Sequence, residues 1–257
     1  MTNYYKCFNL VLITRLNDIG DKNPMNEIYL FGDSAAQGIV LDESENYRVS
    51  RAGCIRLMKR GGYPIRNYAV HGYTVSQGLE CFRNTKTDPG NPCVIEFGGN
   101  DCDLDWDAVS QDPDHFHDGK TPLAEFRGLL KRFIREARDR DLDPILVTPL
   151  PLMSGRYYRW VSKGRDADRI LRYLRNDPES ISRWQERYAI AVRNTAAECG
   201  CQLADVRAWM LEELYYPSLI CEDGMRNCRF YSGLPAGRHF RNISSILPCW
   251  RDSVTLS

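Results

Sequence analysis

The stretch Ile28-Tyr29-Leu30-Phe31-Gly32-Asp33-Ser34 constrains the fold of this 257-residue chain more than any other. Four consecutive apolar residues, 28–31, read as a parallel strand buried on both faces, because a strand with one wet face would alternate. Gly32 has no Cβ to obstruct a sharp turn. Ser34 follows at once, at the expected start of a helix. This geometry lifts a hydroxyl out at the carboxyl end of a strand. It also puts the serine N–H in a helical first turn, where unpaired donors favour an anion. A nucleophile in acyl transfer needs both features. An ordinary strand-to-helix turn with a Ser/Asp cap reads the same way, so the stretch does not decide the matter alone.

Two further stretches have the same character. Residues 65–70 form a second strand, leading into His71-Gly72-Tyr73-Thr74. Residues 93–97 form a third, leading into Gly98-Gly99-Asn100-Asp101. In a doubly wound parallel sheet the carboxyl ends of the strands meet at one crevice. Ser34, Gly72 and Asn100 can therefore converge, offering a hydroxyl, a backbone N–H and a side-chain amide. Over roughly Met25 to Gly224 this ordered set resembles the SGNH hydrolases, the GDSL-type esterase and lipase superfamily. The resemblance implies that Ser34 is the nucleophile. It implies that the N–H groups of Ser34 and Gly72, with the Asn100 amide, form the oxyanion hole.

The remaining chain reads as alternating strands and helices from Met25 onward. Residues 47–60 carry a helical stripe ended by Gly61-Gly62, and a short helix is expected over 75–83. Asp101 to Lys120 is an acidic loop over the crevice. Its alternating aspartates lack the glycine that a calcium loop needs at its sixth position, and no metal is expected. Thr121-Pro122 opens a helix, with Thr121 as N-cap and the proline in the first turn. Residues 145–150 form strand four. Residues 152–176 are an aromatic and basic insertion beside the crevice, either a substrate-facing lid or a surface helical hairpin. Asp177-Pro178 opens a further helix stopped by Gly200; strand five spans 202–206 and a last helix runs near 207–214. Five parallel strands covered on both faces make a three-layer α/β/α sandwich. The resemblance implies the flavodoxin-like order 2-1-3-4-5. Residues 1–24 do not fit the pattern and read as an extra segment, with Met25 the expected natural start. The domain is expected over 25–225, with 226–257 an atypical tail.

Composition narrows the partners. Lys plus Arg and Asp plus Glu number 34 each, and a formal net charge of zero argues against a nucleic-acid binder. The ten cysteines are irregularly spaced, which reads as reduced thiols in a cytoplasmic protein. The run Leu10-Val11-Leu12-Ile13 is too short to span a membrane, and no cleavage signal follows it. No cofactor is expected, and the expected partner is a small-molecule ester. An acetylated sugar or a lipid-like acyl ester would suit, by hydrolysis or by transfer to a sugar acceptor.

The expected chemistry breaks at one place. Serine attack needs a base, and a carboxylate to hold that base. The resemblance implies a late Asp-x-x-His, but here the stretch is Asp223-Gly224-Met225-Arg226. Asp223 matches the aspartate. Arg226 stands at the histidine position and, always protonated, cannot be a base. His239 is the only later histidine, and His71 lies next to Gly72. One of these serves as base, or none does and the chain is an impaired binding protein or remnant. The loss of helical pattern after Met225 suggests a shifted reading frame.

Overall fold

The structure is a computed structural model that describes residues 27–41, 47–49 and 63–215. These belong to one compact unit, Met1–Glu213, apart from the last two residues of the final helix. In chain order the elements are β1 (Ile28–Gly32), α1 (Ser34–Gln37), β2 (Ile39–Leu41), β3 (Tyr47–Val49), β4 (Ile65–Asn67), α2 (Val75–Arg83), β5 (Pro92–Glu96), α3 (Trp106–Gln111), α4 (Leu123–Arg138), β6 (Asp143–Val147), α5 (Ser154–Val161), α6 (Ala167–Tyr173), α7 (Ser180–Cys199), β7 (Gln202–Ala204) and α8 (Val206–Tyr215).

The main sheet has five parallel strands in the order β4-β1-β5-β6-β7. Ranked along the chain this is 2-1-3-4-5, as expected. Side chains alternate across it, because successive residues of a strand point to opposite faces. Tyr29, Phe31, Cys93, Ile95 and Leu146 face a core built with Phe82 of α2, Phe126, Leu130 and Phe133 of α4, and Tyr188 and Val192 of α7. Ile28, Leu30, Val94, Ile145 and Val147 face the other way, onto Ala36 of α1 and Val206 and Met210 of α8. Burying a residue such as Phe31 completely is worth about 1.5–3 kcal/mol. Every residue of β1 is buried, which explains its unbroken apolar run.

Several expectations need correction. Tyr47–Val49 is not helical but pairs antiparallel with Ile39–Leu41; the rest of the expected helix over 47–60 lies outside the described residues. Thr121 does not cap α4: the N-cap position is Pro122 and no side chain bonds the helix end. The Thr121 hydroxyl instead donates to Asp101 Oδ1 at 2.7 Å. A buried carboxylate offers a better acceptor than the helix end offers a donor. The insertion is a pair of short helices, α5 and α6. With Leu104, Trp106 and Val109 from the acidic loop and Ile181 from α7, they close a separate small core. Residues 1–24 and 226–257, with Asp223, Arg226 and His239, lie outside the described residues. Among the described residues no helix is long and apolar enough to cross a membrane, and Cys81, Cys93, Cys102, Cys199 and Cys201 are free thiols.

Candidate active site

β1, β4 and β5 deliver their carboxyl ends side by side, and the three motifs follow directly. Ser34 is the first residue of α1. Asp33 is its N-cap, accepting from Ala35 N at 2.8 Å, and Gly38 closes the turn in the left-handed region. Gly32 is required here. A Cβ on it would stand 2.6 Å from the Ala36 Cβ and 3.0 Å from a Glu96 carboxyl oxygen. Gly72 has φ +82 and open space around its Cα. Among the described residues no backbone carbonyl takes up the N–H of Ser34 or of Gly72.

Asn100 joins the three motifs. Its amide nitrogen donates to Asp33 Oδ2 at 3.2 Å, beside Ser34, and to the Tyr73 carbonyl at 3.0 Å, beside Gly72. The side chain therefore lies between the two motifs rather than in the core. Both amide hydrogens are engaged in this arrangement.

The next residue, Asp101, is fully buried and ties the loop down. It accepts from Gly98 N at 3.0 Å, from Val75 N at 3.0 Å and from the Thr121 hydroxyl. Val75 is the first residue of α2, so one carboxylate fixes the Gly98–Asn100 turn to the element that follows Gly72. Burial pushes its carboxyl up to about 6 despite those bonds. The acidic loop is thus not simply solvated. Asp103 accepts from Trp106 Nε1 at 2.9 Å, Tyr157 OH at 2.5 Å and Lys120 Nζ at 2.9 Å. Asp107 pairs with Arg165 at 2.7 Å and Asp114 with Arg172 at 2.6 Å. Asp103, Asp107 and Asp114 hold the basic insertion. Among the described residues no group of His, Cys, Asp or Glu is placed to hold a metal ion.

Between the loop and the insertion lies a cavity of about 470 Å³ that begins at Gly99, next to Asn100. Trp106, Tyr157, Tyr173 and Trp184 line it together with Asp103 and Arg172. His115 also lines it, with Nδ1 held by Asp112 Oδ2 at 2.7 Å on the exposed rim. Asp112-Pro113-Asp114-His115 has the Asp-x-x-His spacing in plain view, but the sequence reading sought that pattern only near the end of the chain. It also passed over Glu96, which is 1% exposed and abuts Asp33, with Asp33 N directed at Glu96 Oε2 at 3.4 Å. Nothing in the local sequence marks a glutamate within a strand as a neighbour of residue 33.

A model of the GDSL-like lipase/acylhydrolase family matches residues 30–225. No curated protein matches. Among solved structures the chain is similar to a lipase/acylhydrolase from Enterococcus faecalis. That pair shares 23% identity with a TM-score of 0.49, covering 79% of this chain and 87% of that one. It is also similar to a catalytic mutant of an acetylxylan esterase from Geobacillus stearothermophilus, at 19% identity and a TM-score of 0.49, covering 77% and 85%. Since the family match takes in well over half of the chain and contains all three strand-end motifs, the protein belongs to the GDSL-like lipase/acylhydrolase family and is an ester hydrolase of the SGNH type.

Proposed function

We propose that the chain is a serine esterase cleaving an acylated sugar, with Ser34 as nucleophile. Ser34 Oγ attacks the ester carbonyl, and the tetrahedral oxyanion is received by the N–H groups of Ser34 and Gly72 and by the Asn100 amide. The observation that carries this reading is the Asn100 bridge between Asp33 and Tyr73, which brings the three motifs to one spot. For Asn100 to serve, the developing oxyanion must take over one of the two hydrogens now given to Asp33 and Tyr73.

Asp223 and His239 complete the proposed machinery: Asp223 orients the imidazole and His239 takes the Ser34 proton, with His71 the alternative base. The cavity beside Gly99 favours a sugar over a lipid chain as the alcohol portion. Aromatic faces interleaved with Asp103 and Arg172 suit a ring bearing hydroxyls. Cytoplasmic residence fits the free thiols. Hydrolysis of a short-chain p-nitrophenyl acyl ester by the wild type, abolished in Ser34→Ala, tests the reading. Equal rates in both would refute it.

A second reading is favoured by Arg226, which stands where the resemblance implies a histidine. On that reading the chain is a catalytically impaired binding protein or a frameshifted remnant. Translating the other two frames beyond codon 225 decides the frameshift. One of them should read Asp-Gly-Met-His followed by an amphipathic helix, and if neither does, the idea fails.

A further inference from the structure

Glu96 takes no part in the proposed chemistry, yet it is a fully buried carboxyl group placed directly behind the site. It ends β5 and lies against Gly32 and Asp33 at the end of β1, where a Cβ on Gly32 would come within 3.0 Å of its carboxyl oxygen. Asp33 is itself only 4% exposed, its N–H is directed at Glu96 Oε2 at 3.4 Å, and the two carboxyl groups act on each other's protonation. Two abutting carboxyls in a dry site cannot both be ionised, so the pair retains a proton. Both carboxyls are raised. Burial and the Asp33 charge hold Glu96 well above its ordinary value, while burial raises Asp33 to about 6 against the Ala35 N–H and Glu96, which lower it.

The other face of Asp33 meets the site. Asp33 Oδ2 accepts the Asn100 amide, and a Cβ on Gly99 would stand 3.0 Å from that same oxygen. The contact is therefore tight as well as hydrogen-bonded. The chain of contacts runs from Glu96 through the Asp33 carboxylate to the Asn100 amide. The groups facing Asp33 are Glu96 from β5 and Asn100 and Asp101 from the loop after it; Glu96 faces Asp33 and the Ala36 N–H.

We infer that Glu96 is a positioning residue: by hydrogen-bonding Asp33 it fixes the carboxylate that aims the Asn100 amide. The inference rests on the proposed role of Asn100, so its test includes a readout independent of turnover. The side-chain amide signals of Asn100 are identified in ¹⁵N-labelled full-length protein by their loss in Asn100→Ala, then followed from pH 5 to 8. In the wild type they should shift with a midpoint near 6. Glu96→Gln keeps a donor towards Asp33 and should keep the wild-type amide positions at pH 7.5. Glu96→Leu removes the donor, so it should displace those signals and raise their midpoint, because the bond it loses lowers Asp33.

In turnover, Glu96→Leu should lower kcat about tenfold or more with little change in KM, and Glu96→Gln should recover most of that loss. Asn100 signals that ignore Glu96→Leu overturn the inference. If that variant does not fold, wild-type signals that stay flat from pH 5 to 8 overturn it equally. A wild type without esterase activity whose amide signals respond as described would support the positioning role and count against the esterase reading alone.

Discussion

Acidification from pH 7.5 to 5 should stabilise this protein, the reverse of what carboxylates paired with cations do. Burial raises Asp101 from an ordinary value of 3.8 to about 6, and Asp33 likewise, with Glu96 higher still. In the unfolded chain all three titrate near their ordinary values. Between those values the folded state therefore binds more protons than the unfolded one, and unfolding free energy falls as pH rises. The contribution is fully present below the unfolded value and lost as pH climbs through about 6. For Asp101 the whole difference is worth about 3 kcal/mol, of which about 1.4 kcal/mol falls between pH 5 and 7.5.

The Asp33–Glu96 pair acts in the same direction and adds to this gain. Asp107, Asp177 and Glu198, held below their ordinary values by Arg165, Arg183 and Lys131, lose their contribution only at lower pH. Urea unfolding at pH 5, 6 and 7.5, compared at constant m, measures the effect. Asp101→Asn removes one titrating group, so its gain should be smaller than that of the wild type by about 1.4 kcal/mol. It should also be less stable at every pH, because its new N–H₂ faces the Gly98 N–H. Wild-type stability that is flat or rises from pH 5 to 7.5 would refute the argument. So would an Asp101→Asn slope equal to that of the wild type.

Asn100→Ala in an active preparation should lower the rate about a hundred- to a thousandfold, roughly 3–4 kcal/mol, with little change in Tm; an unchanged rate with a lowered Tm would make Asn100 purely structural. Gly78→Ala should destabilise by about 2 kcal/mol and lower Tm by about 4–8 °C, because the new Cβ would lie 2.0 Å from the buried Phe97 ring, and overpacking outweighs the helical gain of alanine. Arg207→Leu should cost about 3 kcal/mol in urea unfolding, since the buried guanidinium holds Glu186 and Gln185, and Gln185 in turn holds Leu150 and Leu152 at the root of the insertion. His239→Ala should remove turnover while His71→Ala and His115→Ala should not, and a reversed result in that assay moves the role of base to the sensitive residue.

Five parallel strands, the helices α2, α4, α7 and α8 and the three strand-end motifs were legible in the chain itself, whereas α3 and the β2–β3 hairpin were not. Each of the former depends on local features: unbroken apolar runs, a stripe of period 3.6, a glycine where the backbone must turn. The expected ends of β4 and β6 fall three residues beyond the observed ones, although single bonds from Tyr68 and Val70 to β1 and from Thr148 to β7 continue past them. Tertiary structure alone decided what the polar residues do. Thr121 reads as a cap in sequence but donates to a carboxylate 20 positions away, and Glu96 reads as the end of a strand but stands against Asp33, 63 positions earlier. The alternating aspartates suggested a solvated loop, yet Asp103 and Asp107 find Tyr157 and Arg165 more than fifty residues along the chain. Hydrophobic periodicity records which face of an element is buried, but not which elements meet. A buried carboxyl acquires its partners, its proton and its role only when the sheet sets strands that are distant in sequence side by side.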